Sequence, residues 1–399
     1  MSAAMRMHRI LAVAAADIIQ AVFHEHKVLD HTLAKAFEAH PKWGKRDRSF
    51  IAETVFEVAR WRRALSFLAQ SDTTEALCAA QWIRMGYELP EWWSYCGASA
   101  ETIQALESEL AAQPRAVRES IPDWIDALGA DALGDAWDHE LAALNQRTGV
   151  YLRVNTLKAS RAEVITWLAS YHIPAHEVPG LPDALALNPG KTLPKSLRMD
   201  GRVEIQDAGS QLIAPLLDAQ QGDCIIDTCA GAGGKSLHLA ALMQNQGRII
   251  AMDIVPKKLR ELKRRAQRAH PSPCIETHLI SPKTLATHKG VADRLLIDAP
   301  CSGLGTLKRQ PDLKWRLKPE TIEKVRAIQF ECLEAYSAML KPGGRLVYAT
   351  CSILPAENRA NVERLLSQGG FELIQESTIS PAATGYDGFY AAALQKVRA

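Results

Sequence analysis

The chain has 399 residues, 47% of them apolar and 23% charged, with a formal charge of +2. That length exceeds one ordinary core, so two or three domains are expected, and the composition is that of a globular protein. The near-neutral charge excludes bulk basicity as a route to nucleic acid, which leaves only local clusters.

No run of 18 apolar residues exists, so no membrane span or membrane partner is expected. The eight cysteines form no CxxC pair and no zinc-finger spacing, so no metal is expected and reduced, cytoplasmic thiols are. The N-terminal "MRMHRILAVAAADIIQ" has the basic start and short apolar run of a signal peptide. Asp17 closes that run, however, and Leu11, Ala15, Ile18 and Val22 continue at helical spacing, which predicts an amphipathic core helix.

Residues 1–144 read as helical throughout. Seven of the nine tryptophans lie there, at positions 43, 61, 82, 92, 93, 124 and 137, and are expected to core a bundle. Residues 145–205 read as a small α+β unit, with "YLRVNTLK" and "GRVEIQD" as strands and "SRAEVITWLASY" as a capped helix. It carries Arg147, Arg153, Lys158, Arg161, Lys191, Lys195, Arg198 and Arg202, either a solvated face or a surface for an RNA backbone.

From 206 to 399 strands and helices alternate. Strands are predicted at Cys224–Asp227, Arg248–Asp253, Ile275–Ile280, Arg294–Asp298 and Arg345–Ala349. Helices are predicted at Lys235–Met243, Lys257–His270 and Thr321–Leu340, with two antiparallel edge strands near Phe371–Gln375 and Gly388–Lys396. The pattern predicts an α/β doubly wound sheet that binds ligands at the carboxyl ends of its strands. "CIIDTCAGAGGKSLHLAALM" supplies a strand, a glycine turn and a helix, without intact GxGxxG or Walker spacing. Asp253 ends the next strand, where an acid can accept both ribose hydroxyls. Turn and acid together point to an adenosine cofactor, NAD or S-adenosylmethionine.

"DAPCSGLGTLKRQPDLKWR", "YATCSILPAEN" and "DTCAGAGGKS" resemble the motifs of the Nop/Sun (RsmB-type) family of RNA (cytosine-5) methyltransferases. "RVNTLK" and "VEIQDAGSQLIAPLL" resemble the segments leading into that family's catalytic domain, and "RDRSFIAETVFEVARWRR" part of a NusB-like helical domain. The resemblance implies a class I methyltransferase (Rossmann-like) sheet at 206–399, after a NusB-like domain that binds RNA or a partner and a small RNA-binding unit. It also implies S-adenosylmethionine as cofactor, held by Cys229, Ala230, Gly231, Ala232, Gly233, Gly234, Lys235, Asp253, Lys258 and Asp298. In such a chain Cys351 adds to C6 of the cytosine, Asp298 contacts the base edge, and Cys301 assists release. The base must leave its stack to react.

Lys308, Arg309, Lys314, Arg316 and Lys318 follow the Cys301 loop and could hold phosphates. Trp315 is expected to pack, and Lys257–Arg268 to be a solvated helix face. The other cysteines, Cys78, Cys96, Cys224, Cys274 and Cys332, lie outside the motifs and read as small buried hydrophobes. The chain departs from the family at Ala232, where many members have proline, and at Ser281, where members often place an aspartate toward the adenine. Ribosomal RNA is the expected substrate and a monomer the expected state. The alternatives are a transfer-RNA enzyme, a DNA cytosine-5 methyltransferase using Cys301 as nucleophile, and a non-catalytic RNA-binding assembly factor.

Overall fold

The computed structural model describes residues 7–271 and 273–397. The chain forms two compact units: residues up to Gln146 with Leu307–Pro319, and Arg147–Thr306 with Glu320 onward.

The first unit is helical. Its first helix, Arg9–His24, buries Leu11, Ala15, Ile18 and Val22 against Ile51, Val55 and Leu65 of the long helix Lys45–Ala69. The 3.6-residue period of the apolar positions therefore belongs to a core helix; Met5 and Arg6 of the signal-like reading lie outside the described residues. Trp82 and Trp137 are fully buried, and the Trp82 indole donates to Thr54 Oγ1 at 3.0 Å. Trp43, Trp61, Trp92 and Trp93 pack half-buried around that core.

Residues 307–319, within the stretch read from sequence as catalytic domain, pack inside this helical unit. Asp312 Oδ2 accepts from Leu29 N at 3.2 Å, and Trp315 Nε1 donates to Ala59 O at 2.6 Å. Lys314, 1% exposed, donates to Arg60 O at 2.7 Å and to Asn145 Oδ1 at 3.2 Å. Burial and the Arg60 charge push its ammonium well below the usual lysine value. These contacts correct the phosphate reading of the basic tail. Lys308 and Lys314 are buried, Arg316 is paired with Asp312, and only Lys318 is well exposed. Trp315 packs, as its sequence context predicted, edge-on to Phe23.

The second unit holds two sheets. The smaller is antiparallel, of order β2-β3-β1-β4, from β1 (Tyr151–Val154), β2 (Ala175–Val178), β3 (Leu181–Leu187) and β4 (Val203–Ile205). Arg153 of β1 is 3% exposed and donates to Gln206 Oε1 and Gly234 O, so it is an internal tie and not part of an RNA-facing surface. Lys191, Lys195 and Arg198 are exposed.

The larger sheet consists of β5 (Cys224–Thr228), β6 (Arg248–Asp253), β7 (Ile275–Leu279), β8 (Ala292–Asp298), β9 (Leu340–Thr350), β10 (Phe371–Ile379) and β11 (Phe389–Lys396), in the order β10-β11-β9-β8-β5-β6-β7. β7, β6, β5, β8 and β9 are mutually parallel, and β11 and β10 close the edge antiparallel. Alternate residues go to opposite faces: Ile226, Leu295 and Leu346 face the helices Pro319–Ser337 and Arg359–Ser367, while Ile225, Leu296 and Val347 face Gly234–Leu242. Burial on both faces explains why these strands read as unbroken apolar runs. The strand order reverses between β5 and β8, which opens a crevice at their carboxyl ends.

Trp315→Ala should lower the unfolding free energy of the helical unit by about 3 kcal/mol, since it removes an aromatic anchor and strands the Ala59 carbonyl. Denaturant unfolding followed by far-ultraviolet circular dichroism measures this, and an unchanged midpoint would show that the segment does not brace those helices.

Candidate active site

β5 ends in a forced turn. Cys229 adopts φ 60°, a left-handed conformation costly for a residue with a side chain, and its neighbour Ala230 donates from N to Met252 O at 2.8 Å. Gly233, at φ 86°, then starts the helix Gly234–Leu242. A Cβ there would lie 2.5 Å from Leu262 Cγ, so only glycine fits.

The turn walls a cavity of about 730 Å³, the size of a cofactor site. Nine of the ten residues expected at the cofactor line it; Gly233 instead packs behind the turn. Asp253, 3% exposed, accepts from Gly231 N (2.9 Å) on Oδ2 and from Val255 N (2.8 Å) on Oδ1. A carboxylate has about four acceptor positions, so it keeps capacity for two hydroxyls. Ser281 does not reach the cavity. Its Oγ accepts from Thr284 N at 3.1 Å and caps the helix Pro282–Thr287, while Ile280 and Leu285 present apolar surface instead.

Elsewhere in the cavity wall, Lys235 Nζ donates to Asp298 Oδ2 at 2.6 Å. Burial opposes the Lys235 charge. Asp298, through charge and hydrogen bond, outweighs it with help from Cys351 and Asp227, and holds the ammonium above the usual lysine value.

Asp227 was missed by the sequence reading, although an acid inside the apolar strand "CIIDT" was a visible signal. It is 1% exposed and lines the cavity; Oδ2 accepts from Ser236 Oγ at 2.5 Å, and Oδ1 has no partner among the described residues. Burial, with the Asp298 and Asp253 charges adding to it, pushes its carboxyl up to about 7. An orphaned, buried acceptor in this position suits a cationic ligand.

β8 and β9 pair in parallel with Asp298 opposite Ala349, and Ala299 N donates to Ala349 O at 2.9 Å. The two strands therefore release their loops side by side, and Cys301 Sγ lies 3.2 Å from Cys351 Sγ. Gly305 N donates to Cys351 O at 3.0 Å, and a Cβ on Gly305 would lie 2.1 Å from Gly388 O. The hydrogen bond with Cys351, then burial, then the charges of Cys351 and Glu357 push the Cys301 thiol well above its usual value.

The remaining cysteines depart from the sequence reading. Only Cys78 and Cys332 are buried, Cys224 and Cys274 are half-buried, and Cys96 is exposed. Cys332 lines the cofactor cavity together with Cys229. No sequence signal marks it, because a long helix carries it there. Along Lys257–Arg268, Arg265 and Arg268 are tied to Glu204, so that helix face is only partly solvated.

A family profile described as "16S rRNA methyltransferase RsmB/F" matches residues 214–395, and one for the ferredoxin-like domain of RsmF/B-like methyltransferases matches 121–193. A protein of Synechocystis called a probable ribosomal RNA small subunit methyltransferase B is 38% identical over 69% of this chain and 67% of its own length. The ribosomal RNA small subunit methyltransferase B of Shewanella oneidensis is 33% identical over 74% of this chain and 71% of its own. The chain belongs to the RsmB/F methyltransferase family. It spans 55% of the Bacillus subtilis relative, which is also 33% identical. Among solved structures, the protein PH0851 superimposes with a TM-score of 0.79 at 22% identity, over 99% of this chain and all of that one. A methyltransferase homologue from Pyrococcus horikoshii gives 0.63 at 25%, over 71% of this chain and 98% of its own. Membership of the RsmB/F methyltransferase family identifies the cofactor as S-adenosylmethionine, whose ribose hydroxyls the spare acceptor capacity of Asp253 suits.

Two predictions follow from this RsmB/F cavity. Asp253→Ala should weaken S-adenosylmethionine binding by about 2–4 kcal/mol in calorimetry, the worth of one or two charge-assisted hydrogen bonds, and an unchanged affinity would remove Asp253 from the site. The second concerns pH. The folded value of Asp227 lies above its unfolded value, so its contribution to stability is present at low pH and is lost as pH rises through about 7. A permanently charged sulfonium favours the ionised form, so affinity should rise between pH 5.5 and 7, by at most about tenfold per unit. Asp227→Asn should flatten that slope; an identical slope in the variant would assign it elsewhere.

Proposed function

We propose that the chain methylates carbon-5 of a cytosine in ribosomal RNA, with Cys351 as the nucleophile. The observation that carries this reading is the 3.2 Å approach of two thiols from adjacent strand ends, with Asp298 lining the cofactor cavity three residues before Cys301. The names of the relatives supply the class of RNA. A cytoplasmic monomer is part of the same proposal.

Carbon-5 of cytosine is a weak nucleophile, and covalent catalysis removes that obstacle. The Cys351 thiolate adds to C6, forming an S–C6 bond and moving electron density to C5. S-adenosylmethionine, when bound, supplies the electrophilic methyl group. C5 bonds to that methyl group as the sulfonium S–CH3 bond breaks; water then takes the C5 proton, the freed pair restores the C5=C6 double bond, and Cys351 leaves as thiolate with the pair of the C6–S bond. Asp298, braced by Lys235, holds the N3/N4 edge of the base. Cys301 is the protonated partner that assists release, consistent with the upward push on its thiol. The second cysteine, Cys351, beside it at the neighbouring strand end counts against the DNA-type alternative, in which Cys301 would attack.

Each thiol then has its own signature. Cys351→Ala should bind RNA and cofactor yet form no adduct and no product. Cys301→Ala should methylate and release slowly, leaving a protein–RNA band on a denaturing gel. The reverse pattern, with an adduct from Cys351→Ala and none from Cys301→Ala, would overturn the assignment. Activity should also favour a looped over a paired cytosine and decline steeply with salt; equal rates on a stable duplex would contradict the flipped base.

A further inference from the structure

Each of the two cysteines is followed by a serine, and both serines reach the same side chain. Ser302 Oγ and Ser352 Oγ each lie 2.5 Å from Glu357 Oε1. Ser302 N donates to Glu357 Oε2 at 2.7 Å, and Gln329 Nε2 donates to the same oxygen at 2.9 Å while also reaching Pro300 O at 3.0 Å. The hydroxyls in turn accept from Leu304 N (3.3 Å) and Leu354 N (3.2 Å), which shapes the loop after each cysteine.

Glu357 is fully buried, a costly place for a charge, and the partners named are all neutral donors. Glutamine would fill the same space without that cost. Four donors converge there, however, and only a carboxylate accepts on both oxygens; an amide would set its NH₂ against two of them. Glu357 lines no part of the cofactor cavity, so it acts through the loops.

We propose that Glu357 is a positioning residue for the reaction: one buried carboxylate clamps both cysteine loops in the register that sets Cys301 Sγ against Cys351 Sγ. Its catalytic consequence rests on the roles given above to the two cysteines; the clamp itself does not.

Phenylarsine oxide, a trivalent arsenical, reads the clamp directly, because it forms two As–S bonds, with loss of water, only to thiols held together. The Cys301→Ala variant supplies the background from other thiols. The wild-type protein should show Cys301-dependent binding. That binding should weaken about tenfold in Glu357→Gln, and likewise in the Ser302→Ala/Ser352→Ala pair, the effect of losing one charge-assisted hydrogen bond. In turnover, kcat should decrease in both variants while KM for S-adenosylmethionine stays unchanged. Combining all three substitutions should add little to Glu357→Gln alone, since the groups act as one unit. Should Glu357→Gln fail to fold, the serine pair decides.

Unchanged arsenical affinity in the folded variants, fully additive effects, or no Cys301-dependent binding in the wild-type protein would each overturn the clamp. Methylation that persists in Cys351→Ala, beside a normal arsenical response, would instead overturn the functional reading and leave the clamp standing.

Discussion

Parallel pairing of β8 with β9 is the constraint on which the site depends. With Asp298 opposite Ala349, two loops from distant parts of the chain leave the sheet at the same level, and both carry a cysteine close behind the strand. Period-2 alternation fixes that register, because a slip of one residue would turn Leu295, Ile297, Leu346 and Tyr348 out of one core and into the other. The hydrophobic sorting of two core layers thus also places two thiols within 3.2 Å.

Charge is arranged around that edge in a graded way. Asp298 is paired with Lys235, Asp253 is satisfied by backbone donors, and Asp227 keeps one oxygen unpartnered. Asp227, Asp253, Asp298 and Glu331 share the cavity wall with Lys235, Lys258 and Arg265, and Ile254, Ile280 and Leu285 add apolar surface. Glu357 is a further acid whose work is internal: it joins the loops and does not line the cavity.

The segment 307–319 shows how far local sequence can mislead. Its basic residues read as a phosphate-binding tail, yet Lys314 and Lys308 are buried, and Lys314 and Trp315 bond to backbone carbonyls of a distant helix. Arg153 gives the same lesson in the small sheet. Lys and Arg carry long apolar stems with donors at the tip, and whether that tip meets water or a carbonyl is a tertiary matter.

The sequence by itself determined the helical first part, the alternating strands and helices, the glycine turn with Asp253, and the two cysteine motifs. Each of these is written in local signals, whether periodicity, turn residues or short spacings. Which distant groups share a space was decided only by the tertiary structure. It placed Asp227 against the cavity, brought Cys332 from a distant helix into the same cavity wall as Cys229, buried the basic tail, and converged Ser302, Ser352 and Gln329 on Glu357. The physical reason is that burial and hydrogen-bond pairing depend on neighbours supplied by chain closure, and in a parallel sheet the residues that meet at one edge are separated by whole strand–helix units.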